Sequence, residues 1–135
     1  MRMILIVDDE RHVARVLSVA LERAGYAVAT AYNGEQAISR LAELKPDALL
    51  TDIMMPRMNG RELVAVVRSQ VPDRELPIVV MTSSLEFEHR DWVKDYGNLH
   101  FIEKPVSPRR IVQILDKHFS AIETDGADHG SLQTV

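Results

Sequence analysis

Residue types suited to phosphoryl or metal chemistry each follow an apolar run in this chain. Asp8 and Asp9 follow Met3-Ile4-Leu5-Ile6-Val7, Asp52 follows Ala48-Leu49-Leu50-Thr51, Thr82 follows Ile78-Val79-Val80-Met81, and Lys104 lies just past Leu99-His100-Phe101-Ile102. The unbroken run Met3–Val7 suits a strand buried on both faces of a sheet and the other runs also read as strands, so all these side chains stand at carboxyl ends of strands. In an open parallel sheet, ligands bind beyond those ends, near the point where strand order reverses. Carboxylates crowded there raise one another's pKa unless a cation offsets them, and an all-oxygen set suits Mg²⁺, which keeps waters and takes a phosphoryl oxygen as partner. Lys104 supplies a point charge for that group and Thr82 a hydroxyl donor. With no cysteine and no Ser–His pair at these strand ends, the nucleophile is a carboxylate. Asp52, on the central strand between the other acids and the Thr82–Lys104 side, is the natural choice. Its product would be an acyl phosphate formed by in-line attack.

The elements that must position these residues alternate in period. After the first apolar run, Val13, Val16, Leu17, Ala20, Leu21 and Ala24 recur at helical spacing, and Gly25 stands where a helix C-terminal glycine belongs. Tyr26 to Ala31 reads as a second strand, and Asn33-Gly34-Glu35-Gln36 as a capping box opening a helix with Ile38, Leu41 and Ala42 inward. The third strand leads through Pro56, Asn59 and Gly60 into a helix bearing Leu63, Val66 and Val67. A weaker helical pattern, Phe87 to Tyr96, is stopped by Gly97 after the fourth strand. After the fifth, Ser107-Pro108 opens a last helix with Ile111, Ile114, Leu115, His118 and Phe119 on its apolar face. Repeated strand–helix units with right-handed crossovers predict an α/β fold: a doubly wound, five-stranded parallel sheet in the flavodoxin-like order 2-1-3-4-5, (βα)5.

Length and composition agree. The 135 residues, 46% hydrophobic and 27% charged, suit one domain able to bury a core, expected over residues 1–119 with a flexible C-terminal tail over 120–135. The lack of cysteine excludes disulfides, thiolate metal sites and thiol nucleophiles. A net charge of −4 gives no field for nucleic acid or an anionic membrane. The N-terminal apolar run is too short for a signal peptide or a membrane span, so a cytoplasmic protein is expected. The histidines are scattered, with no i,i+4 pair, which argues against zinc.

Four motifs in order resemble the receiver domain of two-component response regulators, the CheY-like family. They are Ile4-Leu-Ile-Val-Asp8-Asp9-Glu10, Asp52-Ile-Met-Met-Pro56-Arg-Met-Asn-Gly60, Met81-Thr82-Ser83 and Phe101-Ile-Glu-Lys104-Pro105, and the likeness covers about residues 1–119. The resemblance implies that Asp52 is the phosphoacceptor, and that Asp8, Asp9, Asp52 and the Met54 backbone carbonyl hold Mg²⁺. It also implies that Lys104 and Thr82 bind the phosphoryl group. The donor would be a phosphohistidine on a sensor histidine kinase or a histidine phosphotransfer domain. Thr82 and Phe101 would form the switch, controlling a downstream protein target through the fourth helix, fifth strand and last helix. The molecule would be a monomer or a phosphorylation-dependent dimer through that same surface. No further cofactor is implied, nor any enzyme activity beyond self-phosphorylation and autodephosphorylation. Lys104-Pro105 is a cis peptide in many members.

Some residues depart from the common pattern. Phe101 has no hydroxyl to mark an inward state, Ser83 replaces a commoner alanine, and Tyr96-Gly97-Asn98 with Trp92 suggests a specialised partner face. Met54 and Ser84 occupy positions that in receivers influence hydrolytic water. Methionine cannot orient water as an amide or carboxylate does, so slow loss of the phosphoryl group is expected. Taken singly, Asp8 or Asp9 reads as a helix cap, Lys104 as a solvated charge, Thr82 as a turn residue and Phe101 as core; their function lies in the set. A phosphorylation-independent pseudo-receiver is the alternative, although its usual sign, loss of an acid or of the lysine, is missing. A flavodoxin or nucleotide-binding protein fits worse, because the first loop, Asp-Asp-Glu, would repel an anion and no Walker lysine follows. Both a free-standing receiver and the receiver piece of a longer regulator are compatible with the sequence.

Overall fold

A computed structural model describes residues 1–70, 76–82 and 98–134, with 122–134 described as backbone only. The strands are β1 (Met3–Val7), β2 (Ala27–Ala31), β3 (Ala48–Asp52), β4 (Ile78–Thr82) and β5 (Leu99–Glu103). The helices are α1 (Arg11–Arg23), α2 (Gly34–Leu44), α3 (Gly60–Gln70) and α4 (Pro108–Thr134). All strand pairs are parallel and the order is β2-β1-β3-β4-β5, as the sequence predicts. The segment Phe87 to Tyr96, with Ser83, Ser84, Trp92 and Gly97, lies outside the described residues. The backbone of α4 continues through the stretch whose composition reads as a tail.

Alternation along the strands divides the core into two layers. Leu5, Val7, Leu49, Ile78 and Val80 pack against Ala37 and Leu41 of α2 and Leu63, Val64 and Val67 of α3. Ile4, Ile6, Leu50, Val79 and Met81 pack on the other face against Ala14, Leu17 and Leu21 of α1 and Ile111, Leu115 and Phe119 of α4. Because β1, β3 and β4 are covered on both sides, their residues are apolar without a break until the site begins. The helix stripes follow the same geometry. In α2 the buried positions are Gly34, Ala37 and Leu41, and Ala42, expected inward, is exposed because it lies a further ~100° around the helix from Leu41.

Local chemistry sets the helix ends. Asn33 Oδ1 accepts from Gln36 N at 2.8 Å, the expected cap, while Gln36 Oε1 reaches past the Asn33 amide to accept from Tyr32 N at 2.8 Å, so only half of the expected box forms. A complete box is present at α3, where Asn59 Oδ1 accepts from Glu62 N at 2.8 Å and Glu62 Oε1 accepts from Asn59 N at 3.0 Å. Gly25 (φ 99°) ends α1, with Tyr26 N–H donating to Leu21 O and Gly25 N–H to Glu22 O at 3.0 Å each. Ser107 Oγ caps α4 through Arg110 N at 3.3 Å.

Gly60 does more than begin α3. A Cβ there would lie 2.6 Å from the Asp52 carbonyl oxygen and 2.7 Å from Ile53 Cα, both backbone atoms. Helix propensity alone favours alanine by about 1 kcal/mol, whereas forced overpacking costs about 1–3 kcal/mol. The contact with rigid backbone decides the sign. Gly60→Ala is expected to lower unfolding free energy by up to about 2 kcal/mol in urea titrations; a more stable variant would show that the β3–α3 junction yields freely.

Candidate functional site

The first and third strands are neighbours, and their carboxyl ends bring the acids together. Asp8 leaves β1 with its N–H donating to Ala31 O at 3.1 Å and its Oδ1 accepting from Glu10 N at 2.9 Å. Asp52 ends β3, only 3% exposed, and its Oδ1 accepts a long hydrogen bond from Met54 N at 3.4 Å. Asp9 is exposed beside them, and one carboxylate oxygen from each of Asp8, Asp9 and Asp52 lies within 4.8 Å of the others.

Lys104 approaches this cluster from β5. Its Nζ is 3.2 Å from Asp52 Oδ1 and 3.9 Å from Asp8 Oδ2. The backbone aims it: Lys104 N–H donates to Thr82 O at 2.7 Å, and the Lys104-Pro105 peptide is cis, as the resemblance implies. Thr82, 2% exposed, is therefore tied by its own carbonyl to the residue that pairs with Asp52.

Charge is poorly balanced in this arrangement. Burial, the largest influence, pushes Asp8 up to about 6, reinforced by Asp52 and Asp9 and opposed by the Glu10 amide and Lys104. Burial likewise raises Asp52, with Lys104 and the Met54 amide pulling the other way. Asp8 Oδ2 is buried without a hydrogen-bond donor, so one lysine leaves this carboxylate undersupplied. A hard divalent cation fits such a place, since it takes oxygen ligands and its charge reverses the local pKa logic.

Phe101, half-buried on β5, packs with Leu99 against the α2–α3 layer. The Met54 side chain is 71% exposed. Two supports for Asp52 escape sequence reading. Gly60 passes against its carbonyl, and the fully buried Thr51 hydroxyl donates to that carbonyl oxygen at 3.0 Å. A hydroxyl inside an otherwise apolar strand, immediately before the candidate nucleophile, is the signal that pointed to the second. Among the described residues no helix is long and apolar enough to cross a membrane.

A site of this kind can present a carboxylate nucleophile to phosphorus while a lysine and a cation face the phosphoryl oxygens. Comparison with known proteins agrees. The family described as the response regulator receiver domain matches residues 4–116. The transcriptional regulatory protein ResD of Bacillus subtilis is 38% identical over 109 residues, 81% of this chain and 44% of that protein. The phosphate regulon transcriptional regulatory protein PhoB of Pseudomonas aeruginosa is 37% identical over 109 residues, covering 81% and 48%. The chain thus spans about half the length of these curated relatives. The solved structure of the chemotaxis protein CheY4 of Vibrio cholerae superposes with a TM-score of 0.80 at 31% identity, covering 87% of this chain and 98% of that one. With the strand order, the acidic cluster and these likenesses in agreement, the chain belongs to the response regulator receiver domain family of two-component signalling.

Proposed function

We propose that this domain accepts a phosphoryl group on Asp52 from a phosphohistidine of a sensor histidine kinase or histidine phosphotransfer domain, and passes the signal to a downstream protein target. The observation that carries the reading is the Asp52 carboxylate itself: almost fully buried, 3.2 Å from an ammonium group and clustered with Asp8 and Asp9. An Asp52 oxygen forms the new O–P bond as the donor's P–N bond breaks, and the departing imidazole keeps the electron pair and takes a proton from solvent. Lys104, now paired with Asp52, follows the charge to a phosphoryl oxygen, and the Thr82 hydroxyl donates to another. Asp8, Asp9, Asp52 and the Met54 backbone carbonyl would hold Mg²⁺, which when bound neutralises charge developing on the phosphoryl oxygens. The protein is a phosphoacceptor acting in the cytoplasm, not a turnover enzyme.

Contacts made only to the phosphorylated state shift a two-state equilibrium. Thr82 moving toward the phosphoryl group would free space beside β5, and Phe101, half-buried there, would turn into it. Among the described residues the altered surface comprises β5 and α4, and this is where a partner or a second phosphorylated copy would dock; the fourth helix of the resemblance, 87–96, lies outside the described residues.

Incubation with acetyl phosphate and Mg²⁺ is expected to add one phosphoryl group by intact mass, and neither Asp52→Asn nor a chelated sample should gain it. No gain under any condition would favour a phosphorylation-independent pseudo-receiver. In the same samples, after removal of acetyl phosphate, the exposed Met54 thioether predicts slow phosphoryl loss; a half-life of seconds would contradict that role.

The buried acid predicts a stability signature as well. In the metal-free protein Asp8 titrates near 6, against 3.8 when unfolded, so its charge opposes folding fully above about pH 6 and not at all below about pH 4. Asp8→Asn keeps the shape without the charge. It should raise the Tm of metal-free protein by several degrees at about pH 7.5, where the shift corresponds to roughly 3 kcal/mol, with the difference closing toward pH 4. Equal Tm values at both pH values would refute the strain assigned to Asp8.

A further inference from the structure

The β1–α1 turn carries two of the site's acids, yet α1 begins without ordinary support. Its N-cap, Glu10, makes no side-chain cap hydrogen bond, the first turn has no acidic residue, and its first residue is Arg11, a cation at the positive end of the helix dipole. Something outside α1 must hold this turn. Arg11 supplies the contact, its Cζ 4.1 Å from the centroid of the Tyr32 ring. That ring is well seated: the Tyr32 N–H donates to Gln36 Oε1 at 2.8 Å just before the α2 N-cap, which holds its backbone, and the half-buried ring packs against the α1–α4 layer.

The turn is therefore hung from the β2–α2 connection at both ends. At one end Asp8 N–H donates to Ala31 O at 3.1 Å, and at the other Arg11 stacks on Tyr32, the next residue along. Between them lie Asp9 and Glu10, with the Glu10 amide folded back onto Asp8 Oδ1 at 2.9 Å. Asp9 is the exposed member of the acidic cluster and the one that burial does not immobilise. We propose that Arg11 and Tyr32 are positioning residues for the cation site, their stack holding the β1–α1 turn so that the Asp9 carboxylate stays beside those of Asp8 and Asp52.

This inference rests on the reading of the acidic cluster as a Mg²⁺ site, and Tyr32 variants test it without changing any charge. In calorimetric titration with Mg²⁺ alone, Tyr32→Leu should bind about two- to fivefold more weakly than wild type, the range set by an exposed cation–π contact, and Tyr32→Phe should bind as wild type does. Wild-type affinity in Tyr32→Leu would overturn the proposal. A second arm needs no metal: in chelator, amide exchange at Glu10 should be several-fold faster in Tyr32→Leu than in wild type or Tyr32→Phe. If wild type takes up no Mg²⁺, the cation reading fails, and the exchange arm still decides the stack, since unchanged exchange shows that it does not hold the turn.

Discussion

Two buried carboxylates and one partly exposed ammonium group meet at the ends of β1, β3 and β5, and the rest of the structure is arranged around that imbalance. Asp8 and Asp52 are buried because the strands that carry them are central and covered on both faces. Burial raises both pKa values, and Lys104 offsets only part of the cost. A domain that gave up this charge would be more stable in isolation, and on the proposed function it would also give up the oxygens that hold a cation and accept a phosphoryl group. The strain is thus a condition of the chemistry.

Several local devices hold the arrangement in place. Lys104 is aimed by the hydrogen bond from its amide to the Thr82 carbonyl. Asp52 is set by the Thr51 hydroxyl below it and by Gly60, whose missing side chain lets α3 start against the end of β3. Asp8 and Arg11 are each fastened to the β2–α2 connection. Of these contacts, Lys104 N–H to Thr82 O and Asp8 N–H to Ala31 O link one strand end to a neighbour's. A phosphoryl group that pulled on Lys104 and Thr82 would therefore be felt along β4 and β5, toward Phe101 and α4.

Much of this was legible in the residues. Apolar runs announced the strands, helical spacing announced the layers, and the flavodoxin-like order 2-1-3-4-5 was the topology best suited to repeated strand–helix units; the polar residues then fell at the carboxyl ends of the strands. Less legible were features that depend on approach in three dimensions. The alternation of Thr51 within a buried strand signals a constrained hydroxyl but not its acceptor. Gly60 reads as a turn glycine, because nothing in the sequence says that the Asp52 carbonyl lies where its Cβ would be. Ala42 shares the composition of its helix stripe and misses the core by its angular position. The Asn59–Glu62 box obeys the same spacing rule as Asn33–Gln36, but Pro56 and Gly60 give its segment the look of a turn. Nothing in the sequence pairs Arg11 with Tyr32, which belongs to a different strand–helix unit.

The measurement that bears most directly on the central claim is the Mg²⁺ dissociation constant of the unphosphorylated domain as a function of pH. If the cluster is short of positive charge and Asp8 titrates near 6, protons and Mg²⁺ compete for the same oxygens. Affinity should then be steady above about pH 7 and fall about tenfold for each pH unit well below 6. An affinity flat from about pH 5 to pH 8 would contradict the account, because it would mean that Asp8 is either already ionised without strain or no part of the cation's site.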